Sequence, residues 1–433
     1  MKKKKVVILG AGLSGLATAY FFKKKGVDSR IFEKEKAYGG LCRSFKKDGF
    51  IFDFCGHLLH FQKPQVLSLV KELLGNKLVR HKRRALIHVL DRFIPYPFQA
   101  NLQALPEDIA KECFLEFINA SNNGSIKENS NFLGWINKRF GKGIARYFMI
   151  PYNEKFWKYP LNQLTYEWAE RFIVTPSCED MVDSFVGHNS KNLGYHAYFW
   201  YPEGGIGQLT ESFASKLSNI YLDHEVKTID LNRKELWFKK GGSEKFDILI
   251  STLPLPQLVK VIKDLPASMA LNFGKLKWIS IYNINLGLEG LVQPGRHWIY
   301  FPENKFSFYR VGFFHNFSAT AAAREKSALY IEVSYSKNSP IDKKNIFAKV
   351  IEDLEKTKII SKDNRIVTKL INDISCAYPI YDHDWARMRL KILNYLRCRN
   401  IISTGRFGSW SYIPMEDVIL QGQDLVNSFD EKF

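Results

Sequence analysis

The chain begins with a pattern of apolar and polar positions that predicts a strand, a tight turn, a helix and a second strand. Val6 to Leu9 form a continuous apolar run, which is typical of a parallel strand buried on both faces. A glycine-rich turn follows, and apolar residues at helical spacing then occupy Leu16 to Lys25. Ser29 to Phe32 predict the next strand. This alternation of strand and helix indicates an α/β fold.

The next part of the chain, residues 97–199, has the pattern of a helical insertion. Apolar positions recur at helical spacing over Ile109–Ile118, Phe132–Tyr147 and Tyr166–Ile173. Glycine, asparagine and serine are frequent from residue 183 to 195, which predicts a surface loop that could serve as a lid.

Residues 268–394 instead carry alternating and β-branched runs, which predict an antiparallel sheet that faces a ligand. The runs are Trp278–Leu286, Trp298–Phe301, Phe308–Phe314 and Ala328–Tyr335, and a helix over Lys344–Lys356 follows them.

The glycine-rich turn has the sequence GAGLSG at residues 10–15. Gly10 suits the tight turn, Gly12 lets a pyrophosphate approach the backbone, and Gly15 lets the helix touch the strand. The helix N-terminus supplies free N–H groups, and Glu33 at the end of the second strand can accept a hydrogen bond from a ribose hydroxyl. The unit predicts an adenine dinucleotide site, with a ligand-free glycine turn as the alternative.

Later segments favour FAD over NAD. The stretch GGLCRS at residues 39–44 is similar to the second glycine motif of glutathione-reductase-like FAD proteins. His224 to Val226 are interpreted as the strand that returns beneath the adenine, and Phe246–Thr252 as the closing strand of that domain. The predicted cofactor-binding residues are Gly10, Gly12, Ser14, Gly15, Glu33, Gly39, Gly40, Leu41, Arg43, Val226 and Gly405.

An apolar strand at Ile401 to Thr404 and a final helix over Glu416–Phe429 complete the cofactor segments. The prediction is therefore an α/β protein with a discontinuous Rossmann-like FAD-binding domain, a helical insertion with a lid loop, and an antiparallel β-sheet substrate domain. The predicted boundaries are 1–96, 200–267 and 395–433 for the first, 97–199 for the second and 268–394 for the third.

Composition limits the classes of function. The 433 residues are 45% hydrophobic and 25% charged, which excludes wholesale disorder and predicts two or three domains. No apolar run approaches the ~20 residues of a transmembrane helix. The formal charge of +19 favours an anionic substrate or membrane surface, or a solvated lysine-rich surface, and the scattered basic residues argue against nucleic acid. Six cysteines without paired spacing indicate reduced thiols in the cytoplasm and no metal site.

Several further motifs occur in a fixed order from Lys5 to about Gly422. They are Asp53–His57, Pro95–Gln99, Pro151–Trp157, Trp298–Glu303 with Phe308–Arg310, Ala377–Pro379 and Gly405–Tyr412. Together they resemble the UDP-galactopyranose mutase family, especially its eukaryotic-type branch, within the superfamily of FAD-dependent amine oxidases and protoporphyrinogen oxidases. The resemblance covers nearly the whole chain.

The resemblance implies a role for each matched residue. The implied roles are His57 beside the flavin, Tyr96, Phe98 and Gln99 around uracil, Asn153 and Trp157 beside the sugar, Arg171 on the lid side, Trp298 and Tyr300 on the sheet, Tyr378 and Tyr412 with their hydroxyls near the phosphates, and Arg310 and Arg406 on the diphosphate. Two guanidinium groups can neutralise a diphosphate through bidentate hydrogen bonds. The alternatives are ordinary packing for the aromatic residues, salt bridges for the arginines and a hydrogen-bonded turn for His57.

Some positions depart from the family pattern. His60 replaces an aromatic residue, His196 an asparagine and Cys55 a glycine, and the turn after Tyr412 is two residues shorter. These changes leave the sugar open, with a deoxy, amino or acylated hexose as alternatives to galactose.

The resemblance implies a flavin-dependent mutase that interconverts the pyranose and furanose forms of a UDP-sugar, with N5 of reduced FAD attacking the anomeric carbon and NAD(P)H as the reductant. It implies a cytoplasmic enzyme of polysaccharide and cell-envelope biosynthesis, and leaves self-association open. One alternative is an FAD-dependent oxidoreductase of the amine-oxidase or protoporphyrinogen-oxidase class, because one fold serves many chemistries. The other is a non-catalytic flavoprotein.

Overall fold

The computed structural model describes residues 4–122, 131–187 and 197–429. Its strands, in chain order, are β1 (Val6–Leu9), β2 (Ser29–Phe32), β3 (Ser44–Lys47), β4 (Phe50–Asp53), β5 (Leu78–Lys82), β6 (Ala85–Val89), β7 (Arg92–Pro95), β8 (Tyr198–Pro202), β9 (Ile220–Tyr221), β10 (Val226–Asp230), β11 (Glu235–Phe238), β12 (Ser243–Lys245), β13 (Ile248–Ser251), β14 (Trp278–Glu289), β15 (Trp298–Tyr300), β16 (Arg310–Phe313), β17 (Lys326–Tyr335), β18 (Ile366–Pro379) and β19 (Ile401–Ser403). Its helices are α1 (Leu13–Lys24), α2 (Pro64–Leu74), α3 (Glu107–Asn122), α4 (Phe132–Ile144), α5 (Ile150–Trp157), α6 (Cys178–Val186), α7 (Gly207–Ala214), α8 (Leu255–Leu258), α9 (Ala267–Gly274), α10 (Ile346–Lys356), α11 (Trp385–Arg397), α12 (Gly405–Gly408) and α13 (Met415–Asn427).

A parallel sheet in the order β19-β13-β1-β2-β9 unites segments from the start, middle and end of the chain. β1 lies between β2 and β13 in parallel register. Val6 and Ile8 pack into the core on one face of the sheet, while Val7 and Leu9 pack into a second core on the other. The uninterrupted apolar run of β1 is explained by this burial on both sides.

One strand assignment made from the sequence is wrong. The strand that returns beside β2 is β9, which ends at Tyr221. His224 packs its ring against Phe32, with centroids 5.8 Å apart, and its backbone N–H donates to the Glu33 carbonyl. The chain turns away at this point, so Val226 begins β10 of a separate sheet, β10-β11-β12.

The predicted antiparallel sheet is present and larger than expected. Its order is β18-β14-β17-β16-β15-β6-β7, and all pairs are antiparallel except β15 with β6. The long strands β14 and β17 are buried along most of their length, which matches their nearly continuous apolar sequence. β6 and β7 come from residues 85–95, so part of the segment predicted to belong to the cofactor domain joins this sheet instead.

Helices α3 to α6 form the insertion, and they pack around a core that they share with Ile87 of β6, Ile94 of β7 and Ile279 of β14. The helix predicted over Tyr166–Ile173 is reduced to a single 3₁₀ turn at Ala169–Arg171. The first residues of the predicted lid loop finish α6, and residues 188–196, which include His196, lie outside the described residues. Across the described residues, we find no helix with the length and apolar character needed to span a bilayer.

Candidate cofactor and substrate site

The glycine loops lie where a side chain would collide with neighbouring backbone. A Cβ at Gly15 would be 2.0 Å from the carbonyl oxygen of Gly10, at the contact between α1 and β1. A Cβ at Gly40 would be 3.2 Å from the Cα of Gly12, because the two glycine loops meet there. Helix α1 begins without a side-chain cap on its first N–H groups. The loops therefore present backbone donors at a helix N-terminus, an arrangement that suits a pyrophosphate.

Two buried polar atoms beside these loops have no hydrogen-bond partner within the part of the chain that the structure describes, namely Ser14 Oγ and Arg43 Nε. Gly405 approaches the same point, since a Cβ there would be 2.2 Å from Ser14 Oγ. The Glu33 carboxylate accepts the Ala11 N–H at 2.8 Å and has lone pairs left for a ribose. These residues fit the pyrophosphate and ribose of FAD, because buried polar groups normally have partners.

Two other predicted cofactor residues follow the second glycine loop. The Gly39 N–H donates to the Ala11 carbonyl at 2.7 Å, which ties the two loops together. Leu41 packs on a small apolar cluster that includes Cys55 and Tyr309. The second loop is therefore held between the dinucleotide turn and the antiparallel sheet.

His57 lies in the segment after β4, and its Nδ1 is 3.3 Å from the Cys55 carbonyl, to which it donates when protonated there. Burial and the positive charge of Arg406 lower the pKa of His57 to about 4. The imidazole is therefore neutral at physiological pH and adds no cation to the site.

A cavity lies between the helical insertion and the antiparallel sheet. Eight of the predicted residues line it, namely Tyr96, Gln99, Asn153, Trp157, Tyr300, Arg310, Tyr378 and Tyr412. They come from the segment after β7, from α5, from β15 and β16, from β18 and from the loop after α12. Burial raises the pKa of Tyr96, Tyr300 and Tyr378, so these hydroxyls keep their protons and remain hydrogen-bond donors.

Arg310 is already neutralised by a buried carboxylate. Its Nε and one terminal nitrogen donate to the two oxygens of Glu332 at 2.6 and 2.8 Å. Glu332 is fully buried in the middle of β17. Burial alone raises the pKa of this carboxyl, but the charge and hydrogen bonds of Arg310 outweigh burial and hold the pKa below its usual value. Arg310 therefore brings oriented donors to the cavity, and the pair brings no net charge.

Arg406 has a different environment. Its guanidinium lies 4.6 Å from the ring centre of Tyr378 and 4.5 Å from that of Tyr412. It donates to the Ala377 carbonyl at 3.4 Å, and no carboxylate of the described residues is within ion-pairing distance. Arg406 directly follows Gly405, which contacts Ser14 at the start of α1. An uncompensated cation thus stands between the cofactor loops and the tyrosine-lined cavity.

A third arginine lies at the same cavity. The Arg83 guanidinium is 4.6 Å from the ring centre of Tyr96, and its charge lowers the pKa of Tyr300 against the effect of burial. No ion pair joins Arg83 to a carboxylate within residues 4–122, 131–187 and 197–429. Two cations, Arg83 and Arg406, therefore pack against tyrosines that line the cavity, and neither has a carboxylate partner among the described residues.

Gln99 has the geometry of a recognition residue. Its Nε2 donates to the Val174 carbonyl at 2.6 Å, which fixes the amide plane. Gln99 lines the cavity, and its buried Oε1 has no hydrogen-bond partner among the described residues. A fixed, unsatisfied acceptor next to Tyr96 suits the polar edge of a base.

The model of the family described as flavin containing amine oxidoreductase matches residues 13–388, most of the chain. The chain belongs to this family. Among solved structures, reduced UDP-galactopyranose mutase matches with a TM-score of 0.93 over 99% of this chain and 96% of its own, at 28% identity. A variant of putrescine oxidase, another protein of this fold, matches with a TM-score of 0.70 over 99% of each chain at 14% identity. The resemblance to the mutase is therefore confirmed, and the eukaryotic-type branch stays a prediction.

Three of the curated relatives are an oxidase and two desaturases. Protoporphyrinogen oxidase 2 of Arabidopsis thaliana is 39% identical over 70 residues, which are 16% of this chain and 14% of the relative. A 4,4'-diapophytoene desaturase of Staphylococcus haemolyticus is 26% identical over 187 residues, 42% of this chain and 35% of the relative. A 1-hydroxycarotenoid 3,4-desaturase of Flavobacterium is 23% identical over 297 residues, which are 61% of this chain and 59% of the relative. The chain therefore covers less than two thirds of the length of each of these relatives.

Five of the predicted catalytic and substrate-binding residues do not line the cavity, namely Phe98, Trp298, Arg171, Arg406 and His57. Phe98 is 0% exposed and stacks on Phe148 with ring centres 5.4 Å apart, so Phe148 stands between it and the cavity. Trp298 points to the same face of β15 as Tyr300, but it is 4% exposed and packs against Phe199, with ring centres 5.8 Å apart, outside the lining of the cavity. Arg171 forms an ion pair with Asp417 at 2.5 Å in a neighbouring groove. Phe98, expected around uracil, is thus buried behind Phe148 and does not itself reach the cavity.

Sequence reasoning missed several lining residues. These are Phe148, Met149, Tyr152, Phe156, Trp168, Phe172, Ile173 and Tyr309. Sequence reasoning also missed two residues that contact the lining without being part of it, Arg83 at Tyr96 and Glu332 at Arg310. Tyr152 and Phe156 had a signal, because they stand four residues apart and next to Asn153 and Trp157 on one helix. Glu332 also had one, as a lone acid within an apolar strand.

Proposed function

We propose that this chain is a flavin-dependent mutase that interconverts the pyranose and furanose forms of a nucleoside-diphosphate sugar, UDP-galactose or a close relative. The observation that carries the proposal is Arg406, a cation flanked by Tyr378 and Tyr412 and close to the cofactor loops. An amine or hydrocarbon substrate has no use for such a cation, whereas a leaving diphosphate needs one. The high similarity to a solved UDP-galactopyranose mutase supports the same conclusion.

Different residues of the site bind the base, the diphosphate and the sugar of the substrate. Gln99 Oε1 accepts from the base, and Tyr96 packs beside it. Arg406 and Arg83 offset the negative charge of the diphosphate, while Arg310, oriented by Glu332, donates directed hydrogen bonds without adding net charge. Asn153 and Trp157 on α5 form the wall on the sugar side, opposite Tyr300.

Reduced FAD, when bound, supplies the nucleophile for the anomeric carbon. The protein holds the sugar in position and stabilises the departing diphosphate through Arg406 and the hydroxyls of Tyr378 and Tyr412. Because His57 is neutral, the positive charge that offsets the diphosphate comes from the arginines. The aromatic walls of the cavity exclude water from the reacting carbon.

The proposal includes its biological setting. We place the enzyme in the cytoplasm, in the biosynthesis of polysaccharides of the cell envelope, with NAD(P)H as the reductant of FAD. The supporting features are free cysteines at all six positions and the nucleotide-sugar chemistry of the cavity. A homo-oligomer is compatible with this scheme.

An anaerobic assay tests the proposal. The flavoprotein is reduced with dithionite and incubated with UDP-galactose and other UDP- and dTDP-sugars, and the products are identified by NMR. We expect ring isomerisation that requires reduced flavin and leaves it reduced. Conversion of no nucleotide sugar by a fully reduced protein would contradict the proposal.

An oxidoreductase is the second candidate, favoured by the oxidases and desaturases among the curated relatives and by the neutralisation of Arg310. It predicts that an amine or hydrocarbon donor reduces the oxidised flavin in the absence of oxygen, and that oxygen is taken up when it reoxidises the flavin. Oxygen uptake without nucleotide-sugar conversion would select it over the mutase.

A further inference from the structure

Lys155 is a buried lysine for which the proposed function has so far given no role. It lies on α5 between Asn153 and Trp157, the two residues on the sugar side of the cavity, and its side chain points the other way, into the sheet. Only 4% of Lys155 is exposed. Lysines are rarely buried to this extent unless they have partners.

The ammonium of Lys155 binds the turn that follows Tyr300. Its Nζ donates to the Phe301 carbonyl at 2.9 Å and to the Glu303 carbonyl at 2.7 Å. Tyr300 itself lines the cavity, so these bonds fix α5 to the end of β15 directly behind a lining residue.

The backbone of the same residue binds a second strand. The Ser334 hydroxyl donates to the Lys155 carbonyl at 2.5 Å, in the buried middle of the sheet. Ser334 stands two positions after Glu332 on β17, so both point to one face of the strand. Glu332 in turn holds Arg310. Lys155 therefore joins α5 to the turn after β15, which follows Tyr300, and to β17, whose Glu332 holds the lining residue Arg310.

We propose that Lys155 is a positioning residue, which sets the separation between Asn153 and Trp157 on α5 and Tyr300 and Arg310 on the sheet. The role deepens the proposed function and rests on it, because this separation is the width of the sugar side of the cavity. The base side, at Tyr96 and Gln99, lies on another segment and is held by Val174.

The electrostatics of Lys155 argue against a purely stabilising role. Burial, and the neighbouring charge of Lys158, lower the pKa of Lys155 to about 7, although Asp353 and Glu303 act in the opposite direction. Those two carboxylates are shared with Lys349 at 3.1 Å and Lys305 at 3.2 Å. A neutral side chain of the same length would avoid the burial of a charge. A lysine is needed at this position because its Nζ donates hydrogen bonds to the two carbonyls of Phe301 and Glu303.

The test replaces Lys155 by methionine, which keeps the length and removes the donors. The matched control is Lys158→Met, one residue beyond the same helix, where the lysine donates to neither carbonyl. UDP affinity is measured by calorimetry, turnover by the reduced-flavin assay, and backbone order by hydrogen exchange of residues 150–157 and 300–303. The full flavoprotein is used throughout.

We expect Lys155→Met to lose about a hundredfold in kcat, the effect of ~1 Å misplacement at a reacting centre, while its Kd for UDP stays within about threefold of wild type. Exchange should rise in both segments, and Lys158→Met should resemble wild type. Unchanged turnover and exchange in Lys155→Met would overturn the inference, as would equal losses of UDP affinity and kcat. If the wild-type protein isomerises no sugar, the proposed function fails, and the exchange data alone decide whether Lys155 joins α5 to the sheet.

Discussion

Arg310 lines the cavity and Arg406 packs against two tyrosines that line it, and the two arginines are in opposite electrostatic states. Arg310 is bound in a bidentate pair with the fully buried Glu332, and the pair is neutral. Arg406 is packed between two tyrosine rings, and the described residues offer it no carboxylate. The difference shows that two arginines near one ligand can have different functions. Arg310 contributes geometry and holds the sheet together, whereas Arg406 contributes charge.

The largest expected effect follows from breaking the neutral pair. Glu332→Leu leaves Arg310 buried without its counter-charge, so the free energy of unfolding should fall by about 3–5 kcal/mol, measured by denaturant unfolding of the flavoprotein. Glu225→Gln is the control, because Glu225 pairs with Lys239 at the surface and should change stability by less than about 1 kcal/mol. The double variant Arg310→Met with Glu332→Leu should recover much of the loss. Equal stability of Glu332→Leu and Glu225→Gln would show that the pair is not a structural unit.

Removal of the Arg406 side chain should affect UDP binding more than the stability of the fold. Arg406→Ala is expected to weaken UDP binding by about 2–4 kcal/mol, because the diphosphate loses its main counter-charge. Its effect on unfolding should be about 1 kcal/mol, the scale of its lost cation–π contacts. Arg365→Ala, an exposed arginine paired with Glu289, provides the calorimetric control. Wild-type UDP affinity in Arg406→Ala would remove the role assigned to this residue.

A smaller effect is expected from the hydroxyl beside Arg406. Tyr412→Phe keeps the ring that flanks the guanidinium and removes one donor, so UDP binding should weaken by about 0.5–1.5 kcal/mol. Tyr147→Phe, which removes a hydroxyl bound to Glu112 on the helical insertion, should leave binding unchanged. Equal effects of the two variants would mean that the Tyr412 hydroxyl does not reach the ligand.

The smallest effect concerns His57, whose pKa is lowered to about 4 by burial and by Arg406. Arg406→Gln should raise the pKa of His57 without restoring its ordinary value, since burial remains. NMR titration of the ring protons measures this shift, and the control is Arg387→Gln, which changes an exposed arginine paired with Asp384. In the wild type the unfolded chain takes up this proton at a higher pH than the folded one, so His57 lowers stability as the pH falls from about 6.5 towards 4. An unchanged pKa in Arg406→Gln would separate His57 electrostatically from Arg406.

Local patterns made much of the fold predictable. The four apolar residues of β1, the glycines at 10, 12 and 15 and the acid at the end of β2 lie within one short unit, so spacing along the chain determined their geometry. The long strands β14 and β17 were also visible as apolar runs. Val226 was misplaced because a two-residue strand, β9, gives almost no pattern of its own.

The cavity was less predictable, because a motif names residues without saying which way their side chains point. In the segment Pro95–Gln99, Tyr96 and Gln99 face the cavity while Phe98 turns into the core behind Phe148. The partner of Arg310 could not be deduced either, since Glu332 lies on another strand and meets it only through sheet register.

The most direct test of the account is a calorimetric comparison of UDP with uridine on the wild-type flavoprotein. If Arg406 and Arg83 serve a diphosphate, UDP should bind at least a hundredfold more tightly than uridine, and added salt should reduce the difference. Equal, weak affinity for the two ligands would contradict the central claim and leave the cavity to an uncharged substrate.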